Sequence, residues 1–99
     1  MQRYIRKILE ARVYDVAVET ALDDAPGLSE RTGNKVLLKR EDEQPVYSFK
    51  IRGAYNRMSQ LTDQEKARGV ITATAGNHPP GVANPAKYLA IKPTISMAT

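Results

Sequence analysis

Residues 69–78 read Gly-Val-Ile-Thr-Ala-Thr-Ala-Gly-Asn-His, and this stretch decides the fold class. The β-branched run over residues 70–74 predicts a buried strand, and residues 75–78 predict a tight turn. The segment from about Pro79 to Leu89 is predicted to form a helix, and residues 94–97 are predicted to form another strand. A strand, a helix and a second strand in this order indicate parallel strands joined by a helical crossover.

The sequence before this unit predicts the same alternation of strand and helix. Residues 35–39 form a compact apolar run with charged ends, which is typical of a strand. Ser48 is placed to cap a helix, and the apolar face of that helix is predicted to consist of Phe49, Ala54, Met58 and Leu61. The spacing of Thr62 and Glu65 is that of a capping box, so a second short helix is predicted there, ended by Gly69. The whole pattern is α/β, with a partial parallel sheet and helical crossovers.

Apolar residues also recur at helical spacing near the N-terminus, at Ile5, Ile8, Leu9, Val13 and Val16. This pattern predicts an amphipathic helix over about residues 3–18. Residues 23–27 predict a break, because they end in Pro26-Gly27. Residues 28–31 are expected to form a short helical turn that Gly33 ends.

The composition limits the class of protein. A chain of 99 residues with 41% hydrophobic and 26% charged residues is typical of one small globular domain. It has no cysteine, which excludes a disulfide framework and a thiolate metal site, and its acidic residues lack metal-ligand spacing. No apolar run approaches the roughly 18 residues of a membrane span. Glu10, Asp15 and Glu19 interrupt the arginine-rich start, so we expect a structural helix of a cytoplasmic protein rather than a transit peptide.

The net charge of +4 would suit a nucleic-acid binder. However, the basic residues are scattered among 11 acidic ones, and the densest cluster, residues 39–43, balances its own charges. The sequence also lacks the stripe of aromatic and basic residues that binds single strands. We therefore interpret the charges as a solvated surface and expect neither a nucleic-acid nor a membrane partner.

Two places in the predicted fold are candidates for a ligand site. In parallel sheets, ligands bind where the carboxyl ends of the strands meet the following helices. The loop that leads to Lys50 and the turn over residues 74–78 both lie at such positions. The pattern alone therefore brings these two segments to one edge of the sheet.

The chemistry available at these places is limited to a few side chains. Lys50 lies at a predicted helix start, where the positive end of the helix disfavours an ammonium ion. Imine chemistry needs the neutral amine, so this position suits a reactive lysine; a solvated lysine is the alternative. Backbone N–H groups near Gly76 and Asn77 suit an anion, although an ordinary helix cap has the same pattern. His78 is the only histidine, so we expect no metal site and no catalytic triad.

Two segments together resemble one family. Residues 39–55 read Lys-Arg-Glu-Asp-Glu-Gln-Pro-Val-Tyr-Ser-Phe-Lys-Ile-Arg-Gly-Ala-Tyr. This run is similar to the cofactor-attachment region of serine and threonine dehydratases and serine racemases that depend on pyridoxal 5′-phosphate (PLP). Its first half, with Gln44-Pro45-Val46, resembles the biosynthetic, isoleucine-pathway type of threonine dehydratase more narrowly. Residues 69–78, with Gly81-Val82-Ala83, are similar to the family's loop for the substrate carboxylate and the cofactor hydroxyl.

The resemblance implies PLP as the cofactor and assigns the site residues. Lys50 is implied to form the internal imine and to shuttle protons at the substrate α-carbon. Phe49 is implied to pack near the cofactor ring, and Asn77 to hydrogen-bond the 3-hydroxyl of that ring. The loop that receives the substrate carboxylate is implied to consist of Thr74, Ala75, Gly76 and His78. The implied reaction deaminates L-threonine to 2-oxobutanoate and ammonia, with L-serine as an alternative substrate.

The resemblance also implies the tryptophan-synthase-β-like (fold type II) PLP enzyme fold, with residues 1–99 as the N-terminal part of the catalytic domain. The family's glycine-rich phosphate loop lies farther along the chain, so we expect the 99 residues alone to be inactive and the full-length parent to be a homo-oligomer. A serine dehydratase or serine racemase relative and a non-catalytic remnant are the alternatives. Pro85 departs from the family pattern, and an interior helical proline costs about 3 kcal/mol.

Overall fold

The computed structural model describes residues 1–73, 76 and 78–97. Its helices are α1 (Gln2–Glu10), α2 (Pro26–Thr32), α3 (Lys50–Ser59), α4 (Asp63–Arg68) and α5 (His78–Tyr88). Its strands are β1 (Leu22–Asp24), β2 (Leu37–Lys39), β3 (Val70–Ala73) and β4 (Pro93–Ser96). Short 3₁₀ turns cover Val13–Asp15 and Glu41–Glu43.

β3 and β4 form a two-stranded parallel sheet, and α5 is the crossover between them. The register pairs Val70 with Pro93. Gly69 enters the sheet with a φ of +82°, and a Cβ there would lie 2.6 Å from the Lys92 carbonyl oxygen. Glycine suits this position, because a side chain would collide with the neighbouring backbone. The predicted strand, helix and strand unit is confirmed, and Gly69 ends α4 as expected.

The first predicted strand belongs to a different sheet. β2 pairs with β1 in antiparallel fashion, with Leu22 opposite Lys39. The prediction that residues 35–39 open the parallel sheet is therefore wrong. The sequence pattern hides β1, because aspartate is disfavoured in strands and two of its three residues are aspartate. One of these, Asp23, is held in place by an ion pair with Arg40 at 2.9 Å.

The first helix is shorter than the apolar periodicity indicates. The predicted helix over residues 3–18 ends at Glu10, and Ala11 adopts an extended backbone (φ −65°, ψ 137°). Val13 and Val16 lie in the part that is not α-helical, where a 3₁₀ turn forms instead. Their β-branched side chains lose rotamer freedom in a helix, which favours this early end. No residue of α1 is buried, so packing does not extend the helix either.

Two helix ends follow the capping rules. Glu65 N–H donates to Thr62 Oγ1 at 3.2 Å, and Thr62 N–H donates to Glu65 Oε1 at 3.0 Å. The predicted capping box at the start of α4 is therefore confirmed. The turn predicted over residues 28–31 lies within α2, which ends at Gly33 with a φ of +65°. A left-handed glycine is the common way to end a helix.

The hydrophobic core lies between α3 and α5. Its buried members are Ala54, Met58, Val82, Ala86 and Ile91, against which Leu61, Val70 and Leu89 pack. Ala54 and Met58 of the predicted apolar face are thus confirmed, whereas Leu61 packs on the core from beyond the end of α3 and Phe49 is 63% exposed, so the placement of Phe49 on that face is wrong. Phe49 has a helical backbone, and one turn after it lie the half-buried Arg52 and the exposed Gly53 rather than the core residues. Ile51 is fully buried in α3 instead.

α5 continues through Pro85 to Tyr88. Pro85 is fully buried, and Leu89 N–H donates to its carbonyl oxygen at 2.9 Å. Proline has no N–H to donate to the carbonyl one turn earlier, but its ring adds apolar surface to the packed side of the helix. Burial therefore offsets part of the expected cost of this proline.

The small parallel sheet is exposed over much of its surface. Ile71 is 75% exposed, and every residue of β4 is exposed. The prediction that β3 is buried is therefore wrong, since its side chains alternate between half-buried and exposed. Alternation of this kind is expected when one face of a strand packs on a helix and the other lies open.

Two features are absent from the described residues. None of their helices is both long enough and apolar enough to cross a membrane. Their histidine and acidic side chains also form no group of three or more that could hold a metal ion. The acidic residues that follow β2 are instead paired with arginines. Arg40 contacts both Asp42 and Glu43, at 2.9 and 3.2 Å.

Candidate functional site

Lys50 is the first residue of α3, as the sequence predicts. Its backbone N–H donates to Oγ of the buried Ser48 at 3.3 Å, but the N-cap residue of α3 is Phe49 and the helix has no side-chain capping bond, so the predicted capping role of Ser48 is wrong. Phe49 lies between them with a helical backbone and an exposed ring. Lys50 as a whole is half-buried. Its backbone is therefore fixed at the start of a helix beside an exposed aromatic ring.

Gly81 brings the first turn of α5 directly against Lys50. A Cβ at the buried Gly81 would lie 3.2 Å from Lys50 Cβ and 3.3 Å from its carbonyl carbon, and 3.4 Å from Ile51 N. No side chain therefore separates the two helices at this point, and a larger residue would force them apart. The start of α5 and the start of α3 therefore lie together, although β2, the strand before α3, belongs to the antiparallel sheet and not to the parallel sheet of β3 and β4.

The other predicted site residues are only partly described. Thr74, Ala75 and Asn77 lie outside the described residues. Gly76 is exposed, and His78 is half-buried as the first residue of α5. His78 lines a groove of about 380 Å³ between β3, α3 and α5, but Lys50 is not among the residues that line it.

A polar cluster links α3 to the loop that precedes it. Arg52, two residues after Lys50, donates from Nε and Nη2 to the two carboxylate oxygens of Glu41 at 2.8 and 3.0 Å. Thr20 Oγ1 donates to the same carboxylate at 2.8 Å. The Arg52 guanidinium also lies 5.3 Å from the centre of the Tyr14 ring, within the range of a cation–π contact. The two hydrogen bonds between Arg52 and Glu41 form the bidentate geometry in which an arginine and a carboxylate interact most strongly.

Gln44 ties the same loop to the chain near Val18. Its side chain is buried, accepts a hydrogen bond from Val18 N–H at 2.9 Å and donates to Val18 O at 2.8 Å. Its amide nitrogen also lies 3.3 Å from both carboxylate oxygens of Glu41. The amide thus bonds to Val18 as a neighbouring strand would, and none of its polar atoms is left unpaired.

Sequence reasoning missed the roles of Glu41, Gln44 and Arg52. The interpretation of residues 39–43 as a self-balancing surface holds for Arg40, but it is wrong for Glu41, which pairs with α3. Hydrophobic periodicity cannot find a buried amide or an ion pair between distant residues. The available signal was the family motif, in which Gln44 and Arg52 flank Lys50.

Acidification is expected to weaken this cluster. The Arg52 guanidinium holds the pKa of Glu41 well below its usual 4.5, at about 2, and hydrogen bonds from Thr20 and Gln44 act in the same direction. Because the folded pKa lies below the unfolded one, the stabilisation is complete above about pH 4.5 and is lost as the pH falls towards 2. We expect the free energy of unfolding to fall by up to about 3 kcal/mol over this window, measured by urea unfolding. The free energy of unfolding of the Glu41→Gln variant should fall less over the same pH range. An equal fall in both proteins would contradict the assignment of this pH dependence to Glu41.

The described residues fit part of what PLP requires. PLP reacts through its aldehyde with a primary amine, which Lys50 supplies, beside the exposed ring of Phe49. Gly81 keeps side-chain atoms out of the contact between the two helix starts. The amine chemistry at Lys50 therefore suits PLP, whereas the described residues show no glycine-rich loop for its phosphate.

A comparison with known proteins identifies the family of this chain. Residues 13–99 match the family described as pyridoxal-phosphate dependent enzyme. The chain therefore belongs to this family. Its relatives include the biosynthetic L-threonine dehydratase of Burkholderia multivorans, which is 59% identical over 92 residues (93% of this chain and 18% of the relative). The biosynthetic L-threonine dehydratase of Escherichia coli is 52% identical over 96 residues (97% of this chain and 19% of the relative).

Solved structures give the same result for the fold. The processed form of threonine deaminase isoform 2 from Solanum lycopersicum matches with a TM-score of 0.90 and 50% identity over 99% of this chain and 27% of its own. Maize serine racemase matches with a TM-score of 0.86 and 34% identity over 94% of this chain and 30% of its own. The resemblance to PLP-dependent threonine dehydratases and the fold type II expectation are confirmed. The chain spans about a fifth of the length of the two threonine dehydratases named above.

Proposed function

We propose that this chain is the lysine-bearing part of a PLP-dependent threonine dehydratase, a lyase that converts L-threonine to 2-oxobutanoate and ammonia for isoleucine biosynthesis. The observation that carries the proposal is the position of Lys50 at the start of α3, with Gly81 of α5 packed against it. The identity of 59% to a biosynthetic threonine dehydratase supports the choice of reaction. The proposal includes a cytoplasmic, homo-oligomeric parent protein.

In this proposal each site residue has a separate task. Bound PLP supplies an electron sink at the substrate α-carbon. The Lys50 amine holds the cofactor before the substrate arrives and then moves the α-proton. Phe49 packs near the cofactor ring, and Asn77 binds its hydroxyl. The loop formed by Thr74, Ala75, Gly76 and His78 receives the substrate carboxylate in this proposal, and the close contact of Gly81 in α5 with Lys50 in α3 supports that assignment.

A chimera tests the proposed function. This chain replaces the matching 96 residues of the Escherichia coli enzyme, to which it is 52% identical. We expect the purified chimera, supplied with PLP, to release 2-oxobutanoate from L-threonine, measured by mass spectrometry. The Lys50→Ala chimera should lose at least about 10³-fold in rate, because its acid–base and attachment group is missing. Lys92→Ala removes an exposed lysine and is the matched control.

The same assay separates the alternatives. Release of pyruvate or D-serine from L-serine, without reaction of L-threonine, would place the chain with serine dehydratases or racemases. An inactive chimera that folds and assembles like the parent enzyme would favour a non-catalytic remnant. Equal rates for the Lys50→Ala chimera and its control would contradict the role of Lys50.

A further inference from the structure

Three segments of the chain meet at the start of α3, the helix that begins with Lys50. Residues 17–20 include the buried Ala17 and Thr20, and the loop over residues 41–48 includes the buried Gln44 and Ser48. The first turn of α3 is the third segment. Side-chain hydrogen bonds, rather than strand pairing, join the first two segments to each other and to α3.

Gln44 is the centre of this junction. Its amide uses both its acceptor and its donors, towards Val18 and towards the carboxylate of Glu41. The backbone carbonyl of Gln44 accepts a hydrogen bond from Tyr47 N–H at 2.7 Å, and this bond closes the turn that leads to Ser48. A rotation of Gln44 would therefore break contacts on both sides of the loop at once.

The turn that Gln44 closes has an uncommon backbone. Tyr47 has a φ of +57°, in the left-handed region that residues with a side chain seldom occupy. Its side chain is 79% exposed, so packing of the ring does not impose this conformation. Such a backbone persists only where its surroundings determine it, and here the surroundings are the hydrogen bonds of Gln44.

Arg52 connects the junction to the helix itself. It lies two residues after Lys50, and its bidentate contact with Glu41 leaves the guanidinium little freedom to rotate. Its partner Glu41 is bonded in turn to Thr20 and Gln44. The first turn of α3 is thus fixed to the same carboxylate that Gln44 contacts.

We propose that Gln44 and the Glu41–Arg52 ion pair are positioning residues for Lys50, which hold its backbone at the start of α3 in the orientation that attachment of PLP requires. This inference rests on the proposed role of Lys50. The positioning residues act through the turn at Tyr47 and through the first turn of α3.

Hydrogen exchange of the 99-residue chain, measured by NMR, tests the positioning without any cofactor. The reporting amides are those of Tyr47, Lys50 and Arg52, which donate to Gln44 O, Ser48 Oγ and Phe49 O. In Gln44→Leu we expect these amides to exchange at least tenfold faster than in the wild type. The reference amides of Lys66 and Val70, which lie in α4 and β3, should change less than twofold.

Three further variants distinguish a local effect from a general loss of stability. Thr62→Ala removes the cap of α4 and should accelerate exchange in α4 while leaving the three reporting amides unchanged. Arg52→Met should act like Gln44→Leu, and the conservative Arg52→Lys should restore at least half of the lost protection, because it keeps a positive charge opposite Glu41. A uniform acceleration over the whole chain, or none, in Gln44→Leu and Arg52→Met would overturn the proposal.

A second readout follows Lys50 itself. The chain is mixed with PLP, the lysine amine condenses with the aldehyde with loss of water, and borohydride delivers hydride to the new C=N bond. Peptide mass spectrometry then gives the ratio of label at Lys50 to label at the exposed Lys92. We expect this ratio to fall at least threefold in Gln44→Leu and to stay constant in Thr62→Ala.

The two readouts separate the two proposals. If the wild-type chain carried equal label at Lys50 and Lys92, the attachment role of Lys50 in this chain would be contradicted. Hydrogen exchange at the three reporting amides would still decide whether Gln44 and the Glu41–Arg52 ion pair position Lys50. A wild-type ratio above one that survives Gln44→Leu, with unchanged exchange at the reporting amides, would overturn the positioning and leave the proposed function in place.

Discussion

Replacing Ile51 with alanine is expected to lower the free energy of unfolding by about 2 to 5 kcal/mol, the range for large-to-small substitutions in a packed core. Ile51 is among the largest fully buried side chains of the described chain and directly follows Lys50 in α3. Its loss leaves a cavity that the short helix cannot close without moving its first turn. A domain of this size has a total stability of only about 5 to 15 kcal/mol, so the effect should be plain in urea unfolding.

Ile71 provides the matched control, because it undergoes the same substitution at a position that is 75% exposed in β3. Ile71→Ala should change the free energy of unfolding by no more than about 0.5 kcal/mol. Equal losses for the two variants would mean that α3 does not pack as described. The start of α3 would then be no fixed support for Lys50.

Replacing Gly81 with leucine is expected to destabilise the chain by about 3 kcal/mol or more. The first side-chain atom alone would lie 3.2 Å from Lys50 Cβ, and the rest of the leucine has no space in the contact between α3 and α5. The helices must separate, and Lys50 must move with the start of α3. Urea unfolding measures the loss of stability, and the amide chemical shift of Lys50 reports its displacement.

Gly53 is the control for this substitution, since it also lies inside a helix but an added Cβ meets nothing within 4 Å. Gly53→Leu should leave stability unchanged or raise it by up to about 1 kcal/mol, because leucine favours the helix more than glycine does. If Gly81→Leu proved as harmless as Gly53→Leu, the close contact of α5 with Lys50 would be refuted.

Local rules predicted several elements of the fold. The capping box of Thr62 and Glu65 and the end of α4 at Gly69 follow from the chemistry of a few neighbouring residues. The parallel pair of β3 and β4 also follows, because a crossover helix between two apolar strands leaves little choice of topology. Lys50 at the start of α3 was predictable from the helical pattern that begins at this point of the sequence.

Contacts between distant segments were not predictable from the pattern. β1 contains two aspartates, and the ion pair of Asp23 with Arg40, which accompanies its pairing with β2, joins residues that are distant in the sequence. Periodicity likewise extended α1 beyond Glu10, since it counts apolar residues and does not register that no partner packs against them.

The candidate site also contains features that the local sequence predicts and features that depend on distant segments. The position of its lysine follows from the family motif and from the predicted start of a helix. The Gln44 amide and the Glu41 carboxylate do not, because a polar side chain looks solvated in the sequence until its partners are known. Gly81 belongs to this second group, since only the packed helices show why a side chain is excluded there.

The attachment site of the cofactor is the most direct test of the central claim. The chimera with the Escherichia coli enzyme is loaded with PLP, reduced with borohydride and digested, and the labelled peptide is sequenced by mass spectrometry. We predict that Lys50 carries the main pyridoxyl label, and that residues 1–99 of the Lys50→Ala chimera carry only the low background label of exposed lysines such as Lys92. The main label on a different lysine, or an equal amount in both proteins, would contradict the claim that Lys50 is the cofactor lysine.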